Sequence, residues 1–182
     1  TAGSGGEVGA TDLIHHEIST FRKERGLPVY AAFLTLGCSG AYYVAMAADR
    51  LYAQPTSVVG SIGVIARLPQ VSALADKIGY SERVFKSGEM KDLGSPWRPM
   101  TEPERAVCQQ LVLGLYERFV AAVLAGRPAF KTAAELAPVA DGRVFTAAQA
   151  KDLKLIDDVA YLPEVIAKAT AAAGLRTAAV VT

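Results

Sequence analysis

An apolar run, a four-residue turn of small residues and a second apolar stretch follow one another without a break in PVYAAFLTL-GCSG-AYYVAMAAD, residues 28–49. A strand that enters a helix through so tight a turn buries both elements, and a layered α/β architecture accommodates that. Ser39 sits inside the turn, flanked by Gly37, Cys38 and Gly40.

The rest of the chain repeats the alternation. ATDLIHHEISTFRKERG places Leu13, Ile14, Ile18 and Phe21 at helical spacing and ends on Gly26, a residue suited to stopping a helix. RLYAQP and SIGVIA read as short strands with TSVVG between them, LPQVSALADKIG as a helix and SERVFKSG as a further strand. The turn helix is expected over Ala41–Asp49, and the longest helix over Glu102–Gly126, announced by the capping signature TEPE. TAAE at 132 and TAAQ at 146 repeat that signature, and Pro163 opens a last helix. The alternation predicts a single α/β domain over residues 1–182, with mainly parallel pairing and a helical C-terminal part. The glycine-rich TAGSGGEVGA leads into a helix with no strand before it, so the expectation is a sheet lacking its N-terminal strands.

Composition narrows the chemistry. Charged residues make up 20% of the chain and the net charge is +1 with no basic cluster, which argues against a nucleic-acid partner. Cys38 and Cys108 lack metal-ligand or redox-motif spacing. No uninterrupted apolar run approaches the roughly 18 residues of a membrane span, and no secretory leader is legible.

The strand–Gly37-Cys38-Ser39-Gly40–helix order is close to a nucleophile elbow, with Ala41 in place of a second glycine. Glycine, serine and cysteine also suit an ordinary turn, which is the plainer account of the same residues. A serine nucleophile needs a base. His15 and His16 lie upstream, adjacent on the first helix, in the wrong chain order for an α/β-hydrolase, and read as an exposed pair. Lysine remains: a free lysine titrates near 10.4, so burial must lower it several units to make it a base at neutral pH. Lys86 and Lys91 are the candidates, and spacing does not choose between them.

Taken together, CSGAYYVAMAADRLYAQPTSVVGSIGV, FKSGEMKDLGSPWRPMT and DGRVFTAAQAKDLKLID resemble the signal peptide peptidase A family of serine–lysine proteases, over about Gly5–Asp158. The resemblance implies a Clp-protease/crotonase-like fold and acyl transfer without a metal or cofactor. It implies Ser39 as nucleophile, Lys91 as general base and Ser61 as the serine orienting that base. It implies backbone N–H groups of Gly6 and Gly40 as the oxyanion hole. Ser4 stands where the family has proline in the first turn.

By the same resemblance the expected substrates are cleaved signal peptides or other unfolded apolar peptides. The expected setting is the outer side of the cell membrane, with an N-terminal anchor and self-association into a homo-oligomer. Two alternatives stay open. One is a crotonase-type acyl-CoA enzyme using carboxylates, with Asp49 and Asp92 nearest the motifs; the other is a phage-maturation or scaffold relative.

Overall fold

The computed structural model describes residues 6–179, so Ser4 and Gly5 of the first turn lie outside the described residues. The chain forms two compact units. One joins the residues up to Gly63 with those from Glu117 onward; the other is Val64–Tyr116.

The first unit begins with α1, Val8–Arg25. The Glu7 carboxylate caps it by accepting from the Gly9 and Ala10 amides, and Gly26 ends it at φ 60°. The apolar run 29–36 then divides into β1 (Tyr30–Phe33) and β2 (Leu36–Cys38), which belong to different sheets. The Phe33 ring lies over Gly37, where a β-carbon would come within 2.4 Å of it, and the exposed Leu34 and Thr35 stand between the two strands.

α2 (Gly40–Ala45) is shorter than the expected 41–49, and β3 (Arg50–Ala53) and β4 (Val58–Gly60) follow. One sheet has the parallel order β1-β3-β6, with β6 at Asp158–Val159. The other has the order β2-β4-β5, with β2 and β4 parallel and β5 (Val144–Thr146) antiparallel to β4. Mainly parallel pairing is therefore observed, with one antiparallel exception. The strand expected over SIGVIA is displaced: pairing occurs at Val58–Gly60, inside the TSVVG expected to be a connector. Gly60 at φ 118° and Ser61 at φ 51° turn the backbone out of the strand just where SIGVIA begins.

The core of this unit gathers Tyr42, Leu51, Val59, Ile62 and Leu155, all fully buried. Among the described residues no buried side-chain nitrogen or oxygen lacks a partner, as the cost of an unpaired buried group requires. The Tyr42 hydroxyl donates to the Leu155 carbonyl at 2.7 Å. Arg127, 6% exposed, donates to the Lys154 carbonyl at 2.9 and 2.7 Å and to Asp157 at 2.9 Å, while Asp157 also accepts from the Leu51 amide. The C-terminal turns of α4 (Glu102–Gly126) bury Phe119, Val120, Ala122 and Val123 here, and its end at Gly126 packs onto Met46.

α4 amends one sequence expectation. Although its apolar residues are interrupted, its most apolar 18-residue window has mean hydropathy 1.3, so by length and composition it could cross a membrane. Only 17% of that window is buried, and the buried apolar side chains of the helix are those of its C-terminal turns. α5 (Ala133–Leu136), α6 (Ala147–Asp152) and α7 (Leu162–Ala172) complete the unit. The TAAQ capping box at Thr146 forms in full, whereas the Glu135 carboxylate of TAAE accepts from the Lys131 amide instead of closing its box.

In the second unit, α3 spans Ser72–Ile78 and ends at Gly79 with φ 70°, and a single 3-10 turn covers Glu89–Asp92. No strand forms over SERVFKSG: residues 81–88 are exposed and unpaired, with Phe85 at 94% exposure. With no described sheet edge in this unit to receive that segment, its β-favouring residues have no ladder to join. TEPE caps α4 as expected, the Glu104 carboxylate accepting from the Thr101 amide at 2.8 Å.

Candidate active site

Ser39 ends β2 and precedes α2 at φ 53°, ψ −121°, a left-handed conformation that costs a residue with a β-carbon of order 1–3 kcal/mol. Its amide donates to the Gly60 carbonyl at 2.9 Å, extending the β2–β4 ladder by one bond into the turn. As the residue preceding a helix, serine ordinarily spends its hydroxyl on a free helix amide. Ser39 does not; its side chain makes no capping bond.

Ser61 leaves the neighbouring strand in the same way. Its φ is 51° and its amide donates to the Arg143 carbonyl at 2.7 Å. Parallel register sets Cys38 opposite Gly60, so Ser39 and Ser61 follow a paired position at the same end of adjacent strands. Gly60 is required there, because a β-carbon would lie 2.8 Å from the Arg143 carbonyl oxygen. The DGRV segment thus braces the turn after β4.

Gly6 and Gly40, far apart in sequence, are brought together. A β-carbon on Gly40 would stand 3.3 Å from both Cα and N of Gly6, and 3.0 Å from Thr11 Oγ1. One on Gly6 would meet the same Thr11 oxygen at 2.7 Å. A side chain at Gly40 would therefore press on the Gly6 backbone, whereas one at Gly6 meets the Thr11 side-chain end, and the two backbones abut beside the Ser39 turn. A groove of about 550 Å³ runs from this contact along β1, between α1 and α2. Its walls are largely apolar, with Ile14, Ile18, Phe33 and Val44 among them.

Burial pushes up the thiol pKa of Cys38, the residue before Ser39, and its sulfur lies 3.4 Å from the Val58 carbonyl oxygen. The histidine pair is not wholly exposed as expected. His16 is, but His15 packs edge-on against the Tyr43 ring at 5.1 Å, and burial lowers its pKa.

The second unit carries both candidate lysines, and they differ in environment. Lys86 Nζ donates to Asp92 Oδ1 at 2.9 Å and to the Glu89 carbonyl at 3.0 Å. Lys91 lies on the Glu89–Asp92 turn, exposed, and makes no ion pair with a described residue of its unit. Asp92 is the hub of this region. Arg98 first and Lys86 second hold its carboxyl well below the usual carboxylate range. Arg98 continues to Glu104, 2% exposed, whose carboxyl it lowers to about 2. The network fixes the turn on which Lys91 rides, so Lys86 has a structural occupation that Lys91 lacks.

Neither acid considered for an acyl-CoA enzyme is free. Asp92 is committed as described, and Asp49 accepts from the Val29 amide at 2.9 Å and pairs with Arg22 at 3.5 Å. Among the described residues no group of His, Cys, Asp and Glu could hold a metal. Sequence reasoning missed Thr11, which fills the corner between Gly6 and Gly40, and the Arg98–Asp92 pair. Thr11 carries no local signal, since tertiary contact alone gives it that place. The Asp92–Arg98 spacing within the Gly/Pro-rich loop offered a faint one.

Over 91% of its length the chain is similar to an enoyl-CoA hydratase/isomerase structure from Mycobacterium abscessus, at 14% identity, 45% of that chain and a TM-score of 0.40. Sequence similarity is much stronger. A putative signal peptide peptidase from Enterococcus faecium is 34% identical over 86% of this chain and 45% of its own length. A putative protease of Methanocaldococcus jannaschii is 35% identical over 85% of the chain and 49% of its own. A chloroplastic serine protease of Arabidopsis thaliana is 32% identical over 90% of the chain and 24% of its own. The chain thus spans at most about half the length of these relatives. The match to peptidase family S49 extends over residues 21–176, from the last turns of α1 to beyond α7 and through both strained serine turns, and the chain belongs to that family.

Proposed function

We propose that this chain is the catalytic part of a serine endopeptidase working with a Ser39–Lys91 dyad on cleaved signal peptides or other unfolded apolar peptides. The observation that carries the reading is the Ser39 turn: a strained residue at a strand end, its hydroxyl not used for capping, beside two abutting glycine backbones. Strain of this kind collects at active sites, where it fixes a reacting group in advance.

Lys91 takes the Ser39 proton as the serine oxygen bonds to the peptide carbonyl carbon. The carbonyl π pair moves onto its oxygen, where the N–H groups of Gly6 and Gly40 receive the negative charge. The intermediate collapses, the C–N bond breaks and Lys91 returns the proton to the leaving amine. Water then repeats the sequence against the acyl-serine and restores the enzyme. Ser61 orients the lysine. No cofactor enters.

The apolar groove beside Gly6 and Gly40 suits apolar peptide. Exposed apolar side chains in the second unit, Phe85 at 94%, Ile65 at 72% and Ile78 at 70%, favour a homo-oligomer that covers them. Work on the outer face of the cell membrane, tethered by an anchor, fits such substrates.

The test is hydrolysis of a fluorogenic peptide with an apolar residue before the scissile bond, from about pH 6 to 10, where a lysine base gains activity as it loses its proton. Ser39→Ala and Lys91→Ala should both fall to background, with Lys86→Ala active. Activity kept by Lys91→Ala and lost by Lys86→Ala would reassign the base. A folded, inert wild type would favour a scaffold role.

A further inference from the structure

α1 is an 18-residue helix with no buried residue. Leu13, Ile14 and Phe21 on it are 60, 49 and 48% exposed. Apolar burial therefore does not fix where α1 lies, although its first turn adjoins Gly6. Polar pins do. At its far end the Arg22 guanidinium donates to the Ala47 carbonyl at 2.8 Å and pairs with Asp49. At the near end Asp12 accepts from the Tyr43 hydroxyl, and Arg118 closes on the same carboxylate at 3.0 and 3.3 Å.

The near pin is the better built. Tyr43, on α2 one turn beyond Gly40, is 7% exposed, and its ring is wedged between His15 at 5.1 Å and Phe119 at 5.3 Å. A ring so enclosed has one place to put its hydroxyl. Asp12 follows Thr11, the residue filling the corner between Gly6 and Gly40. A bond between Asp12 and Tyr43 therefore ties the first turn of α1 to the first turn of α2 next to where their glycine backbones meet.

We propose that Asp12, held by Tyr43 and Arg118, is a positioning residue that sets the separation of the Gly6 and Gly40 amides and so the fit of the oxyanion hole. This rests on the serine-peptidase reading above. The phenol stays neutral and the carboxylate charged. Burial first, then Asp12, pushes the Tyr43 pKa up, while the Tyr43 bond first and Arg118 second hold Asp12 down.

The test compares wild type, Tyr43→Phe, Asp12→Asn and the far-pin control Arg22→Met. It measures kcat and KM on the peptide substrate and inhibition by a peptide aldehyde. The aldehyde carbon bonds to the Ser39 oxygen, the hydroxyl proton passes to the base and the carbonyl oxygen becomes the oxyanion. Tyr43→Phe and Asp12→Asn should lower kcat roughly 10- to 100-fold with little change in KM, as expected of a misplacement near 1 Å. Aldehyde binding should weaken in parallel. Arg22→Met should lower thermal stability but leave kcat nearly intact.

Unchanged kcat in Tyr43→Phe, or equal losses in Arg22→Met, would overturn the assignment. Wild type that cleaves no peptide would overturn the peptidase reading instead. Amide hydrogen exchange at Gly6–Thr11 and Gly40 then judges the pin. Faster exchange in Tyr43→Phe but not Arg22→Met supports it, and equal exchange rejects it.

Discussion

The amide of Ser39 and the carbonyl of Gly60 are joined at 2.9 Å, so the Ser39 turn is an extension of the β2–β4 ladder. Its left-handed backbone is held from one side by a strand bond and from the other by the start of α2. The strain is a property of the position and can be separated from the chemistry of the hydroxyl.

Ser39→Ala and Ser39→Gly should both lack hydrolysis, yet differ in stability. At φ 53° the alanine β-carbon keeps the penalty that glycine escapes. Urea unfolding should find Ser39→Gly more stable than Ser39→Ala by about 1 kcal/mol, once the larger chain entropy of unfolded glycine is set against the relief. Equal midpoints would mean that the turn relaxes when the hydroxyl goes.

Gly60→Ala should be among the most damaging single-methyl changes in the chain. The added carbon meets the Arg143 carbonyl oxygen at 2.8 Å, at a φ of 118° that side chains avoid. Overpacking against backbone costs typically 1–3 kcal/mol, and the conformation adds to it. Thermal unfolding reads the loss, and a fall in activity larger than the unfolded fraction accounts for would show Ser61 displaced with it.

The Arg127–Asp157 pair should make stability fall in acid. Burial pushes the Asp157 pKa up, but the Leu51 amide and the Arg127 and Arg50 guanidiniums outweigh it, and the net shift is downward from 3.8. A depressed carboxyl contributes stability in full above its unfolded value and loses it as the pH drops through the folded one. Arg127→Met, which leaves the half-buried Asp157 carboxylate with the Leu51 amide and Arg50, should cost about 1–3 kcal/mol at neutral pH and flatten the acid limb of the stability profile. An acid limb unchanged in the variant would place the sensitivity elsewhere.

Cys38 should resist iodoacetamide in the native protein. Its thiol is buried and its pKa raised, so little thiolate is present to react. Mass spectrometry should find Cys38 modified only once denaturant opens the β2–β4 pair. Rapid native labelling would show that the Ser39 turn opens far more often than its bonding suggests.

Much of this was legible in the chain because it is local. Gly26 at the end of α1, the TEPE and TAAQ boxes and the bounds of α4 all follow from residues within a turn of one another. Where the sequence misled, distant partners decided. VYAAFLTL is one apolar run, but it divides between two sheets that are completed by strands far along the chain. SIGVIA has strand composition, yet Arg143, far along the chain, claims the Ser61 amide and pulls the pairing one step earlier. The candidate site divides likewise. Ser39, Gly40 and Ser61 stand in a contiguous motif, whereas the Thr11 corner and the Asp12–Tyr43 bond exist only once α1 has folded against α2.

The second unit interrupts the first in the chain, since Val64–Tyr116 lies between β4 and the strand that pairs with it. Val58 finds Thr146 and Tyr52 finds Asp158 only after the intervening residues have been made. A chain growing on the ribosome therefore carries Ser39 long before Arg143 can brace the turn behind it. Newly synthesised protein exposes Ser39 with no assembled turn around it, and the proposed site is complete only when the C-terminal strands join the sheets.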